Sequence, residues 1–364
     1  MNDAIQCYRD SIHISEALRL RQLASALRTR CKFCGRHEDI DEAIECLQKA
    51  LSIAAPDIKP SILNNLGNAL NDRFSIFHSK ITDLDTAAAA FTESIELRFP
   101  TDESRAYPLT NLANTLNTRF RLTGNLETLN QAIGNLREAL RLRPPGHPER
   151  KGTLNVLGTS LRTRSGLIDY SMTDLDESIN YHREAASLHA EKSPGRYSPL
   201  HNLANGLRIR FAQRGDKADL EESIHIDQGL LDTYPKTHPD RSKFIIGIAT
   251  SFRMSFERSG DEQALDDAIR WGQEAILLTH ETDFTALNSY ANLFRARYNL
   301  HGALLSCDNL RYTALNSFPK GELKTSNSLA STLSAHYVAA HRHIPIIRCF
   351  FIPLVALSHS RPNI

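Results

Sequence analysis

The sequence predicts an all-α solenoid of about seven to eight helix pairs. Three observations carry this: a ten-residue segment recurs at near-constant spacing, a second amphipathic segment follows each copy at a fixed offset, and glycine or proline falls where each helix should stop. The recurring segment can be written seven times without gaps, as QLASALRTRC, NLGNALNDRF, NLANTLNTRF, VLGTSLRTRS, NLANGLRIRF, GIATSFRMSF and SYANLFRARY. Its second residues are Leu23, Leu66, Leu112, Leu157, Leu203, Ile248 and Tyr290, with steps of 43, 46, 45, 46, 45 and 42 residues. A weaker copy begins at Leu329 (LASTLSAHY) after a step of 39.

The first segment reads as a helix, A, because Leu112, Ala113, Leu116 and Phe120 share one face at helical spacing. Gly35, Gly124, Gly215, Gly260 and Gly302 each lie twelve residues after the helix A anchor, where a left-handed residue closes a helix. The second segment, B, follows 17 or 18 residues behind the anchor, on Ile40, Leu84, Leu129, Leu175, Leu220 and Leu265. In its clearest copy Ile40, Ala43, Ile44, Leu47, Ala50 and Leu51 step by three and four into one apolar stripe. Acids at the start of helix B (Asp83/Asp85, Asp174/Asp176, Asp219/Glu221) are expected to cap free amides and complement the helix dipole. Proline-bearing loops such as Pro144-Pro145-Gly146-His147-Pro148 and Pro235-Lys236-Thr237-His238-Pro239 then stop it.

Residues 1–14, reading Asp3-Ala4-Ile5 near their start, predict a partial helix B of a truncated repeat, and residues 15–300 the main array. Residues 301–340 read as a degenerate last repeat and 341–364 as a divergent tail, since Ile344 to Leu357 is apolar but broken by Pro345, Arg348 and Pro353. That stretch is shorter than the ~20 residues a bilayer span needs. Repeats 4, 5 and 6 carry His182, Asp227 and Gly272 where helix B should present a large apolar residue, so those pairs are expected to pack less tightly.

Within each unit a large–small pair (Leu66-Gly67, Leu112-Ala113, Leu157-Gly158) precedes another large residue by four positions, and helix B carries Ala43/Leu47/Ala50 or Ala132/Leu136/Ala139. This pattern resembles the tetratricopeptide repeat (TPR), in which small residues let the two helices pack closely. The period exceeds that repeat's usual ~34 residues. Units of this length resemble those of kinesin light chains, and more closely the arrays of fungal proteins that carry a caspase-like CHAT domain or an NTPase. The resemblance implies a right-handed solenoid whose concave side is lined by helix A.

On that face two rows recur. Two positions after the anchor come Ser25, Asn68, Asn114, Thr159, Asn205, Thr250 and Asn292; five positions after come Arg28, Asn71, Asn117, Arg162, Arg208, Arg253 and Arg295. Side-chain amides can bond a peptide backbone, and guanidiniums can fork onto carboxylates. In peptide-binding tetratricopeptide proteins the matching first position is an asparagine that clamps the ligand main chain. The resemblance therefore implies a peptide groove of Asn68, Asn114, Asn205 and Asn292 with Arg28, Arg162, Arg208, Arg253 and Arg295. The opposing reading is that these are solvated residues copied from repeat to repeat. A further row at anchor plus seven (Arg30, Arg73, Arg119, Arg164, Arg210, Arg297) is expected to pair with helix C-terminal carbonyls or with the acids that start helix B.

The length of 364 residues would otherwise suggest two or three domains. Lys+Arg of 43 against Asp+Glu of 42 leaves a net charge of +1, so neither nucleic acid nor an anionic membrane is an expected partner. Six cysteines are too few for a disulfide framework, and the N-terminus lacks a signal-peptide pattern, which points to the cytoplasm. No phosphate-binding loop, HExxH or GxSxG motif is present, and the cysteines sit in no caspase-like nucleophile motif. Cys31, Cys34, His37 and Cys46 could offer zinc donors, but Cys31 occupies the core slot of Phe120 and Phe211 and no second close-spaced pair exists. His147 and His238 read as turn residues, because no acid or nucleophile recurs at a fixed offset from them. The expected chain is a non-enzymatic scaffold without cofactor or metal that binds extended or acidic segments of other proteins. The alternatives are a sensor array of a CHAT- or NTPase-type protein and, from another class, a helical-repeat RNA binder.

Overall fold

Glycine or proline lies at most of the helix junctions, as the repeat requires. The structure is a computed structural model that describes residues 2–78, 80–167, 171–191, 193–235, 240–278 and 293. The weak last repeat 301–340, the tail 341–364, Asn292 and Arg295 lie outside the described residues. The described part is built from helices α1 (Asn2–Cys34), α2 (His37–Ile53), α3 (Lys59–Phe77), α4 (Thr82–Glu96), α5 (Ala106–Thr123), α6 (Leu126–Arg141), α7 (Arg150–Ser165), α8 (Met172–Ser187), α9 (Tyr197–Arg214), α10 (Lys217–Thr233), α11 (Arg241–Ser259) and α12 (Glu262–Leu278). Odd-numbered helices are the A helices and even-numbered ones the B helices. No strand occurs among the described residues.

The chain falls into two compact units, residues 1–202 and 203–364. In the first, each helix from α1 to α7 packs on its successor, and A helices also touch: α1 on α3, α3 on α5, α5 on α7. This is an all-α helical-repeat solenoid, and its core is continuous from Ala17 to Leu161. In the second unit α10 packs on α11 and α11 on α12, with Ala249, Leu265, Ala268 and Ile269 in a core beside Phe252, Phe256 and Trp271.

Residues 2–14 differ from the expected separate helix B. They run into helix A as one 33-residue helix, because no glycine or proline lies between Asn2 and Cys34 to end it.

Helix A closes as the spacing predicts. The Gly124 amide donates to the Phe120 carbonyl at 2.8 Å with φ +69°, and Gly260 repeats this on Phe256 with φ +73°. In the second repeat the same slot holds His78, which takes φ +49° without being glycine.

Small residues on helix A admit rings from helix B. A methyl group added to Gly67 would lie 2.6 Å from the Phe91 ring, and one on Gly158 would lie 2.8 Å from the His182 ring. The looser packing expected at His182 and Asp227 is not what the structure shows. Both side chains are wholly buried in the slot that Phe91 and Leu136 fill in earlier pairs, with His182 Nδ1 3.2 Å from Asn155 and one Asp227 oxygen 2.6 Å from Arg208.

Candidate functional site

Helix A positions carry polar side chains on the face turned from the apolar stripe, and the structure separates those engaged within the protein from those left open. Asn68 on α3 is half-buried and Asn114 on α5 is exposed, and neither side chain has a hydrogen-bonding partner among the described residues. Asn205 differs: its Oδ1 accepts from Arg208 Nη2 at 2.7 Å.

The row at anchor plus five is mostly occupied from within. Asn71 donates to Thr115 Oγ1 at 2.8 Å, and Asn117 to Ser160 Oγ at 2.9 Å, so each amide ties its A helix to the next. Arg28 places Nη2 and Nε 2.6 and 2.9 Å from one Asp72 oxygen. Arg253 pairs with Glu257 one turn on. Arg208 departs from the groove expectation. It is only 5 % exposed, with Nη1 2.6 Å from the wholly buried Asp227. The cause is the carboxylate in the slot where helix B usually presents an apolar side chain, which draws the guanidinium inward. Burial pushes the Asp227 carboxyl up to about 6, with Arg208 offsetting part of that rise.

Arg162 is the exception in this row. No hydrogen bond or ion pair reaches its side chain among the described residues; Nε is buried without an acceptor, while the terminal nitrogens are not enclosed in this way. Burial lowers its proton affinity. Its neighbour His182 has its pKa lowered to about 3, by burial first and by the Arg162 charge second, so it is a neutral imidazole. His182 Nδ1 lies 3.2 Å from Asn155 Oδ1, which also accepts from Asn202 at 3.1 Å; Asn202 reaches Thr159 at 3.4 Å.

The row at anchor plus seven is structural, as expected from its position. Arg30 grips Asp39, Arg73 grips Asp83, Arg164 grips Asp174 and Arg210 grips Asp219, each through two bonds of 2.6–2.9 Å. Those acids therefore serve the arginines more than the free amides. Amide capping falls to Asn125, Ser171, Asp216 and Asp261 at the helix B entrances. Arg119, whose own helix B offers Thr128 in place of the acid, turns to Asp85 of the preceding helix B at 3.3 Å.

Sequence reasoning missed the bonds that cross from one A helix to the next. The signal was present, since positions five after one anchor and three after the next are repeatedly complementary: Asn71 with Thr115, Asn117 with Ser160. His147 acts as a turn residue, its Nδ1 accepting from the Glu149 amide at 3.0 Å while Nε2 meets Glu103 at 2.6 Å. Cys31 is buried in the core and Cys34 exposed. No group of three metal-binding side chains forms among the described residues, nor is any described helix long and apolar enough to cross a membrane.

No family model matches the chain, and no curated protein is a significant match. Similar solved structures include TPR-like repeats. Nearly identical TPR-like repeats of kinesin-light-chain type from Podosopora anserina share 14% identity over 58% of this chain and 95% of that one, with a TM-score of 0.42. The apo form of the quorum sensor NprR from B. thuringiensis shares 12% identity over 98% of this chain and 92% of its own, with a TM-score of 0.48. The human IFIT1 dimer with m7Gppp-AAAA shares 15% identity over 92% of this chain and 68% of that one, with a TM-score of 0.42.

Proposed function

We propose that this chain is a non-enzymatic protein–protein interaction scaffold that binds extended peptide segments along the open face of its A helices. The observation that carries the reading is the pair Asn68 and Asn114. They hold the same register on α3 and α5, two A helices that pack together, and both keep their side-chain amides unengaged. An amide offers a donor and an acceptor together, which is what a peptide main chain requires.

A protein partner is favoured over RNA by charge. The net charge is +1, and the Arg30, Arg73, Arg164 and Arg210 row is neutralised by aspartates, so that row offers no basic track to a phosphate backbone. A sensor array coupled to an effector domain would use the same face, and a reducing, cytoplasmic setting suits the free thiols.

The test is an arrayed library of extended peptides probed with the full chain and with an Asn68→Ala/Asn114→Ala variant. Peptides held by the wild type should be lost or weakened at least tenfold by the variant, with helical content unchanged. Retention of the same peptides at the same strength overturns the groove reading.

A further inference from the structure

Residues 2–12 (NDAIQCYRDSI) align without gaps on residues 41–51 of α2 (DEAIECLQKAL), so the start of α1 carries the pattern of a helix B. The backbone holds this segment in line with the rest of α1. Both helices that flank α1 stop beside its middle. Lys49, one turn from the end of α2, meets Glu16 at 3.1 Å, and Ser61, at the start of α3, accepts from Arg21 at 2.9 Å. Residues 2–12 thus run past the ends of both.

Farther along α1, the face that a preceding helix B covers in later repeats is open. Leu23 is 44 % exposed and Ala26 is exposed, while Leu66 and Ala69 at the same positions of α3 are buried. The covering helix is α2 for α3, α4 for α5 and α6 for α7. Arg30 shows the polar side of the same vacancy. Arg30, Arg73 and Arg164 each grip their own helix B acid through Nε and Nη2. Nη1 of Arg73 and of Arg164 then reaches the preceding helix B, at Asp41 (2.9 Å) and Asn130 (3.1 Å), whereas Nη1 of Arg30 has no partner. Asn2 holds the sequence slot of Asp41 and Asn130.

Host and guest share one helix and one stripe. Ile5, Tyr8 and Ile12 keep helical register with Leu23, Ala26 and Arg30. A stripe that carries both is self-complementary under a two-fold axis. We propose that two copies of this chain pair through α1, antiparallel and two-fold symmetric, with residues 2–12 of each copy acting as helix B on the open α1 face of the other. The register follows from α2 on α3: where Asp41 meets Arg73 there, Asn2 of one copy meets Arg30 of the other, and Tyr8 falls at Leu23. A second copy is the occupant because its Asn2 brings the acceptor that Arg30 lacks.

The test is sedimentation velocity of the full chain across the micromolar range. The wild type should sediment as a dimer that dissociates on dilution. Tyr8→Asp and Leu23→Asp should each weaken association by roughly tenfold or more, because each buries an unpaired charge in the pair. Leu188→Asp, at an exposed site on α8, should leave association unchanged, and helical content should be the same in all variants. A benzophenone amino acid in place of Tyr8, irradiated in a mixture of isotopically light and heavy copies, should yield mixed-isotope products joined to residues 20–30. A monomer at every concentration overturns the proposal. So does a dimer indifferent to Leu23→Asp, which would place the contact elsewhere. Crosslinks confined to single copies also overturn it, since residues 2–12 would then fold back on their own α1.

Discussion

The Arg73 guanidinium holds Asp83 through bonds of 2.8 and 2.6 Å and Asp41 through a third of 2.9 Å. One side chain thus ties its own helix B to the helix B before it, and both acids raise the arginine's proton affinity. Arg73→Ala should destabilise the first unit by about 1–3 kcal/mol, and Arg73→Lys should recover little, since an ammonium cannot fork onto a carboxylate. Urea denaturation of a double-mutant cycle with Asp83→Asn checks this. A coupling energy near zero would reduce the pair to an idle surface contact.

His182 and Asp227 sit in equivalent slots but should respond to acid with opposite signs. His182 falls from an ordinary 6.5 to about 3 on folding, so the unfolded chain gains a proton that the folded one refuses. Its contribution to stability should be lost as pH drops from about 6.5 towards 3. Asp227 rises from 3.8 to about 6, so the folded chain takes its proton first, and this contribution should grow as pH drops from about 6 to 4. Denaturation of His182→Phe and Asp227→Asn against the wild type, repeated across this window, should give difference slopes of opposite sign. Slopes of the same sign would refute the assignment.

Gly67 faces the Phe91 ring so closely that a methyl group has no room. Gly67→Ala should cost about 1–3 kcal/mol despite alanine's better helix propensity. A companion Phe91→Leu should relieve part of that loss. If Gly67→Ala alone stabilises the fold, helix propensity outweighs the close approach.

At His78 the direction reverses. The residue occupies the left-handed slot that glycine fills in neighbouring repeats. His78→Gly should therefore raise stability by about 1 kcal/mol, seen as a higher midpoint in thermal or urea unfolding. A lower midpoint would mean that the His78 side chain contributes more than its backbone costs.

The helix pairs were legible because apolar spacing and punctuation are local signals, and Leu112 or Gly124 has the same task in any repeat that carries it. The site was less legible because position on a face does not say what a side chain meets. Arg162 and Arg208 occupy the same register on a sequence alignment, yet Asp227 draws Arg208 inward while His182 leaves Arg162 unmatched. That difference lies about twenty residues away on another helix, and it emerges only once the two helices are packed. Asn71 and Asn117 were likewise indistinguishable from free amides until Thr115 and Ser160 were placed opposite them.

The arginine fasteners also bear on how the first unit carries load. Arg73, Arg119 and Arg164 each reach back to the preceding helix B, at Asp41, Asp85 and Asn130. Tension applied to one pair is handed to its predecessor through a polar tether as well as through packed side chains. The first unit should behave under pulling as a series of linked springs, in which one hairpin yields only by loosening the grip on its neighbour.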